Sequence, residues 1–239
     1  IYGILYYIHR KKGVIMANIA ILGFGVVGSG VAEVISENLE IIEKRINSEL
    51  KIKYILDLRD FDGLSYSDKF TKDFRKIADD DEVLVVAEVM GGINPAYDFV
   101  KRCLLAGKSV VTSNKELVAA KGYELLELAK KNNVNFLFEA SVGGGIPVIR
   151  PINQCLSANE FSEVAGILNG TTNFILTMMI DEGMEFQEAL KLAQANGYAT
   201  KAAIANFTSA SHLPSTTACK FLADFGMSSV LLKTQGTCL

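Results

Sequence analysis

Residues 18–28 read NIAILGFGVVG, a short apolar run that closes on Gly23-Phe24-Gly25-Val26-Val27-Gly28. The run has the composition of a buried strand, and apolar residues at helical spacing continue from Val26 to Ile42. In such a strand–turn–helix the first glycine makes the tight turn and the second lets backbone approach a pyrophosphate. The third permits close packing of helix on strand, and the helix N-terminus faces the phosphates. A lone GxGxxG occurs in many glycine-bearing turns; its setting between strand and helix gives it meaning. Gly23, Phe24, Gly25, Val26, Val27 and Gly28 are therefore candidate dinucleotide contacts.

Outward from this stretch, strands and helices alternate. Strands are expected at 51–58, 82–89, 109–112 and 134–138, with helices at 95–106 and 115–131. Residues 59–82 are charged and read as surface loop with one weak helix. This alternation implies an α/β domain with a doubly wound parallel sheet and right-handed crossovers. After Pro147 and Pro151 the pattern changes to a strand at 163–168 and amphipathic helices at 171–181 and 186–195, the opening of a second domain. The expected division is 1–15 as an extension outside the fold, 16–150 as the nucleotide domain and 151–239 as a partial substrate domain.

Composition narrows the class. The chain has 239 residues, 49% hydrophobic, with a net charge of −3, and no basic block argues for nucleic acid. Cys103, Cys155, Cys219 and Cys238 are scattered without a CxxC pair, which fits reduced thiols in a cytoplasmic protein. Two histidines, His9 and His212, make a histidine metal centre implausible. Residues 1–15 carry an apolar run followed by basic residues, too short to span a bilayer and ordered unlike a signal peptide. No membrane role is expected.

Asp57 stands near the end of the second expected strand, with Arg59 just beyond it. An acid there suits the ribose of NAD, and an arginine accommodates the extra phosphate of NADP. With both present the choice stays open, and a plain solvated loop pair is the alternative. At another strand end stand Thr112, Ser113, Asn114 and Lys115, where open parallel sheets bind ligands. Taken alone, Lys115 could equally be a solvated charge or a phosphate contact.

Three stretches carry a wider likeness: VVTSNKELVAA (110–120), FEASVGGGIPVI (138–149) and GILNGTTNFIL (166–176). With the glycine fingerprint they resemble homoserine dehydrogenases, over about residues 16–199. The resemblance implies a Rossmann-like sheet followed by an α+β substrate and dimerisation domain. It implies NADP- or NAD-dependent interconversion of aspartate 4-semialdehyde and homoserine in threonine and methionine biosynthesis. It makes Lys115 a catalytic lysine at substrate and nicotinamide, Thr112 a cofactor contact and Gly91-Gly92 the turn beneath the nicotinamide. A free lysine is too basic for proton exchange near neutral pH; bringing it to roughly 7–8 takes burial or a neighbouring cation, about 4 kcal/mol. That predicts a second positive charge, which the family supplies as another lysine.

The resemblance also implies a sodium-type site formed by Glu139 and the carbonyls of Val142, Gly144 and Ile146. Oxygen donors of this kind suit hard cations, and a glycine-rich hinge is the alternative. Cys155 raises a rival, aspartate-semialdehyde dehydrogenase, which attacks through a thiolate. With no histidine near it, Cys155 reads as core packing within a helix.

From residue 200 the likeness breaks. The stretch 200–239 is rich in serine and threonine, and Asp224 is its single acid. Lys220, in TACKFLADFG, matches the second catalytic lysine in local letters but lies too far from Tyr198. A frame error, or insertions and deletions, is the expected origin, and the substrate domain ends short. The family's homodimer, built through that domain, is not expected to form here. Two functions follow: the dehydrogenase itself, or a cofactor-binding fragment of one without catalysis.

Overall fold

The computed structural model describes residues 16–61, 63–64, 66–156, 158–159 and 170–196. The chain divides between Ile146 and Pro147 into two units. The first holds a six-stranded sheet: β1 (Met16–Leu22), β2 (Glu49–Leu56), β3 (Phe70–Thr71), β4 (Val83–Glu88), β5 (Ser109–Thr112) and β6 (Phe136–Leu137). Its order is β3-β2-β1-β4-β5-β6 and every pairing is parallel. The chain reverses direction of winding between β1 and β4, which makes the doubly wound sheet expected from the alternating pattern.

Burial on both faces explains why Ile19–Leu22 of β1 reads as an uninterrupted apolar run. Successive side chains of a strand point to opposite faces. Ala20 and Leu22 accordingly join one core with Val86, Val110, Leu117 and Leu125, while Ile19 and Ile21 join another with Ala32, Ile35, Val85 and Ala87. The helices of this unit are α1 (Val26–Glu37), α2 (Leu39–Ile46), α3 (Arg75–Ala78), α4 (Ala96–Leu105), α5 (Lys115–Lys131) and α6 (Ala140–Gly143).

Three local readings change. The helix expected from Val26 to Ile42 is two helices broken at Asn38. The Asn38 backbone N–H and its Nδ2 both donate to the Val34 carbonyl, which ends α1 before Leu39 starts α2. Within the expected loop at 59–82, Phe70–Thr71 pairs with Ile55 and Leu56 as an edge strand, too short to show a period of two. The glycine-rich stretch after Glu139, expected as a loop, begins with the helical turn α6, and Gly144 leaves it at φ 61°.

The second unit, by itself, contains α7 (Ile149–Cys155), α8 (Gly170–Asp181) and α9 (Phe186–Ala195). Ile175 of α8 packs with Ala189, Leu190 and Ala193 of α9 in a small core. Cys155 does end a helix, but it is exposed and not part of any core, because α7 buries none of its residues. The strand expected at 163–168 lies outside the described residues, as do the extension 1–15, residues 200–239 and Lys220. No helix among the described residues is long and apolar enough to cross a membrane.

Candidate active site at the carboxyl edge of the sheet

Four loops gather where the strands end: Gly23–Gly25 after β1, Asp57–Arg59 after β2, Val89–Gly92 after β4, and Ser113–Asn114 after β5. Strand register brings them level, since Leu22 pairs with both Leu56 and Glu88, and Glu88 pairs with Thr112.

Two of the three fingerprint glycines have a steric reason. Gly23 sits at φ +95°, and a Cβ there would meet Met90 Cγ at 2.8 Å. A Cβ on Gly28 would lie 2.0 Å from the Gly23 carbonyl oxygen, so the helix approaches the turn backbone to backbone. A Cβ on Gly25 would meet nothing within 4 Å. Gly25 is the N-cap of α1 and no side chain caps this end, although Val26 and Val27 stand exposed beside it. The first backbone N–H groups of such a helix have no intrahelical acceptor.

Phe24 behaves differently from its neighbours. Its ring is buried, edge-on against Phe61 and Phe70 with centroids 4.9 Å away in each case. Its N–H donates to Asp57 Oδ2 at 2.8 Å, and its carbonyl accepts from Arg59 Nη2 at 2.9 Å. Asp57 also accepts from the Arg59 N–H, Nε and Nη2. The pair is therefore a clamp on the glycine turn and not a solvated loop pair. Arg59 donation, with backbone N–H groups of Arg59 and Phe24, holds the Asp57 carboxyl well below the usual carboxylate range against the opposing effect of burial. The Arg59 side chain is 62% exposed, that of Asp57 only 11%.

The loops after β4 and β5 are joined by a group the sequence reading passed over. Glu88, the last residue of β4, is fully buried. Its Oε2 accepts from the Thr112 hydroxyl at 2.6 Å; its Oε1 accepts from the Met90 N–H at 2.9 Å and from Asn114 Nδ2 at 3.4 Å. Asn114 Nδ2 also donates to the Gly92 carbonyl at 2.6 Å, and Asn114 Oδ1 accepts from the Leu117 N–H, capping α5. Thr112 accepts from the Asn114 N–H, so its hydroxyl is engaged on both sides. Lys115 follows as the exposed first residue of α5, and Gly91 and Gly92 turn at φ 85° and 72°. One local signal could have found Glu88: a carboxylate closing an apolar strand, with Thr-x-Asn closing the next.

Glu139 is half-buried at the start of α6, whose N–H of Val142 bonds the Glu139 carbonyl. Val142 is half-buried; Gly144 and Ile146 are exposed. Among the described residues, no cluster of three or more His, Cys, Asp or Glu could hold a metal ion.

Comparison with known proteins bears on this arrangement. Residues 23–139 match the family model "Homoserine dehydrogenase, NAD binding domain", and residues 147–205 match the model "Homoserine dehydrogenase". The homoserine dehydrogenase of Lactococcus lactis is 41% identical over 188 residues, covering 76% of this chain and 44% of that protein. The crystal structure of a homoserine dehydrogenase from Thiobacillus denitrificans superposes with TM-score 0.73 at 38% identity, over 80% of this chain and 45% of that one. A hyperthermophilic archaeal homoserine dehydrogenase mutant in complex with NADPH superposes with TM-score 0.66 at 29% identity, over 78% of this chain and 63% of that one. The chain thus spans less than half the length of the Lactococcus relative. Matched by both family models across its two units, the chain belongs to the homoserine dehydrogenase family.

Proposed function

We propose that this chain binds NADP in preference to NAD and supports hydride transfer between aspartate 4-semialdehyde and homoserine. A cofactor held there would supply the hydride to the aldehyde carbon, or take it from the alcohol carbon in reverse. The open end of α1, with Gly25, Val26 and Val27, receives the pyrophosphate, because Gly25 leaves space there and the helix offers unbonded N–H groups. Phe24 contributes by packing the turn, its own N–H being held by Asp57. Gly91 shapes the turn under the nicotinamide half, and Thr112 borders that half through the turn its hydroxyl holds.

The preference for NADP rests on the state of Asp57. Both its oxygens accept hydrogen bonds from Phe24 and Arg59, which leaves little of the carboxylate for ribose hydroxyls. The Arg59 guanidinium is the exposed member, so the clamp offers a cation to a ribose phosphate.

Lys115 is assigned the proton. The observation that carries the reading is its position: the first residue of α5, at the strand end tied to Gly92 through Asn114. There it can give a proton to the oxygen of the aldehyde as the hydride arrives, and take it back in reverse. Its partner lysine is assigned to Lys220 on the local letters TACKFLADFG alone. Glu139, with the carbonyls of Val142, Gly144 and Ile146, is assigned to a sodium ion; an all-oxygen donor set fits a hard cation, whose charge would hold this turn in shape.

The test is titration of the purified chain with NADPH and NADH by nicotinamide fluorescence, followed by a homoserine-dependent absorbance assay. NADPH should bind at least about tenfold more tightly than NADH, and Arg59→Ala should erase the difference. Lys115→Ala should abolish any turnover while NADPH still binds. Equal affinity for both cofactors would refute the role of Arg59, and normal turnover in Lys115→Ala would refute that of Lys115. Binding without turnover assigns this chain the cofactor half of the reaction alone.

A further inference from the structure

Strand β4 reads VLVVAE, and its single acid is fully buried at the carboxyl edge. A buried carboxylate is costly unless its oxygens are satisfied, and an apolar residue at the same place would be cheaper for the fold. Glu88 is satisfied by three uncharged donors, and each belongs to a different part of the edge. Met90 N–H leads into the Gly91-Gly92 turn, Thr112 ends β5, and Asn114 caps the helix that begins with Lys115. Asn114 closes the ring by donating to the Gly92 carbonyl.

We propose that Glu88 is a positioning residue that sets the nicotinamide half of the cofactor site by locking the Gly91-Gly92 turn to the turn that presents Lys115. The inference rests on the cofactor reading above. A dinucleotide lies across the point where strand order reverses, between β1 and β4. The fingerprint and the Asp57–Arg59 clamp stand on the β1–β2 side, and the side-chain bonds of the Glu88 ring run on the β4–β5 side, which approaches the fingerprint at Met90 beside Gly23. Disturbing the ring should therefore weaken the nicotinamide half and spare the adenosine half.

Glu88→Gln is the suitable change. Its carbonyl oxygen can still accept from Met90 and Asn114, but its amide nitrogen turns a donor toward the Thr112 hydroxyl. That hydroxyl already accepts from Asn114 and can no longer donate to residue 88.

The experiment compares two ligands on wild type and Glu88→Gln: NADPH, and 2′-phospho-ADP-ribose, which lacks the nicotinamide. Binding is followed by calorimetry, with the emission of bound NADPH as a second signal. The expected result is an NADPH Kd raised about tenfold, with 2′-phospho-ADP-ribose within about twofold of wild type. The emission of bound NADPH should also move toward that of free cofactor.

Equal weakening of both ligands, or no change in either, would overturn the proposal. Failure of wild type to bind either ligand would bring down the cofactor reading, and the proposal with it. Where Glu88→Gln does not fold by circular dichroism, Thr112→Val removes the donor to Oε2 and keeps the carboxylate. It should show the same split between ligands, and Thr112→Ser should restore wild-type behaviour. Absence of the split in Thr112→Val would overturn the proposal equally.

Discussion

The two sides of the carboxyl edge solve one problem by opposite means. On the β1–β2 side an ion pair, open to water through Arg59, grips the glycine turn by the N–H and carbonyl of Phe24. On the β4–β5 side a carboxylate sealed from water grips two turns through uncharged donors. Water can replace a lost partner in the first case and not in the second, so the same deletion should cost different amounts. The clamp also responds to pH, since it depends on a carboxylate held well below its ordinary range.

The largest expected effect tests the first consequence. Glu88→Ala leaves the Met90 N–H, the Thr112 hydroxyl and the Asn114 amide without their acceptor in a buried place. At about 1–3 kcal/mol for a single unsatisfied buried group, we expect a loss of about 3 kcal/mol or more. Asp57→Ala frees Arg59 to water and leaves one part-buried N–H, that of Phe24, without its acceptor, and should cost only about 1–2 kcal/mol. Urea denaturation of the two variants measures both; equal losses would break the contrast.

Acid should act through the exposed clamp. Asp57 titrates in the folded chain below its ordinary 3.8, held there by Arg59. Between those two values the unfolded chain binds a proton that the folded chain refuses. The stability contributed by Asp57 is thus complete above about pH 5 and falls as pH drops below about 4 toward the folded value. Asp73, Asp80 and Glu124 are lowered as well, so the wild-type slope is shared. Asp57→Asn should lose about 1 kcal/mol less than wild type between pH 5 and pH 3. Parallel acid curves for the two proteins would show that the clamp carries no part of the acid response.

Much of this edge was legible in the sequence, but not its ties. β1 and the glycine turn declare themselves because burial on both faces demands an unbroken apolar run and close approach demands Gly28. Helix α5 begins and ends at Lys115 and Lys131 as read, because Asn114 caps one end and Lys130 and Lys131 suit the other. The ties cross the sheet instead: Phe24 to Asp57 spans 33 residues, and Glu88 to Thr112 spans 24. No local pattern encodes such partners, so Asp57 and Arg59 read as ribose-side candidates or a solvated loop pair but not as a clamp, and Glu88 as one more residue of a strand. The two-residue β3 escaped for a simpler reason, being too short for alternation to appear.

Gly25→Ala should have the smallest effect on the fold, and its smallness is what makes it informative. Gly25 sits at φ −82° and ψ −161°, which alanine adopts, and the added methyl meets no atom within 4 Å. Alanine is a poorer N-cap than glycine, whereas loss of glycine freedom in the unfolded chain favours it, so stability should stay within about 1 kcal/mol of wild type. Gly28→Ala, with a carbonyl oxygen 2.0 Å from the new carbon, offers no such allowance and makes the contrast within one turn. If the space at Gly25 is where phosphate approaches the helix, the methyl should weaken NADPH and 2′-phospho-ADP-ribose alike, by about tenfold or more. Glu88→Gln should separate those two ligands where Gly25→Ala does not. A Gly25→Ala protein that binds both as wild type would mean that the pyrophosphate does not lie against this turn, and the β1–β2 side would lose its role while keeping its geometry.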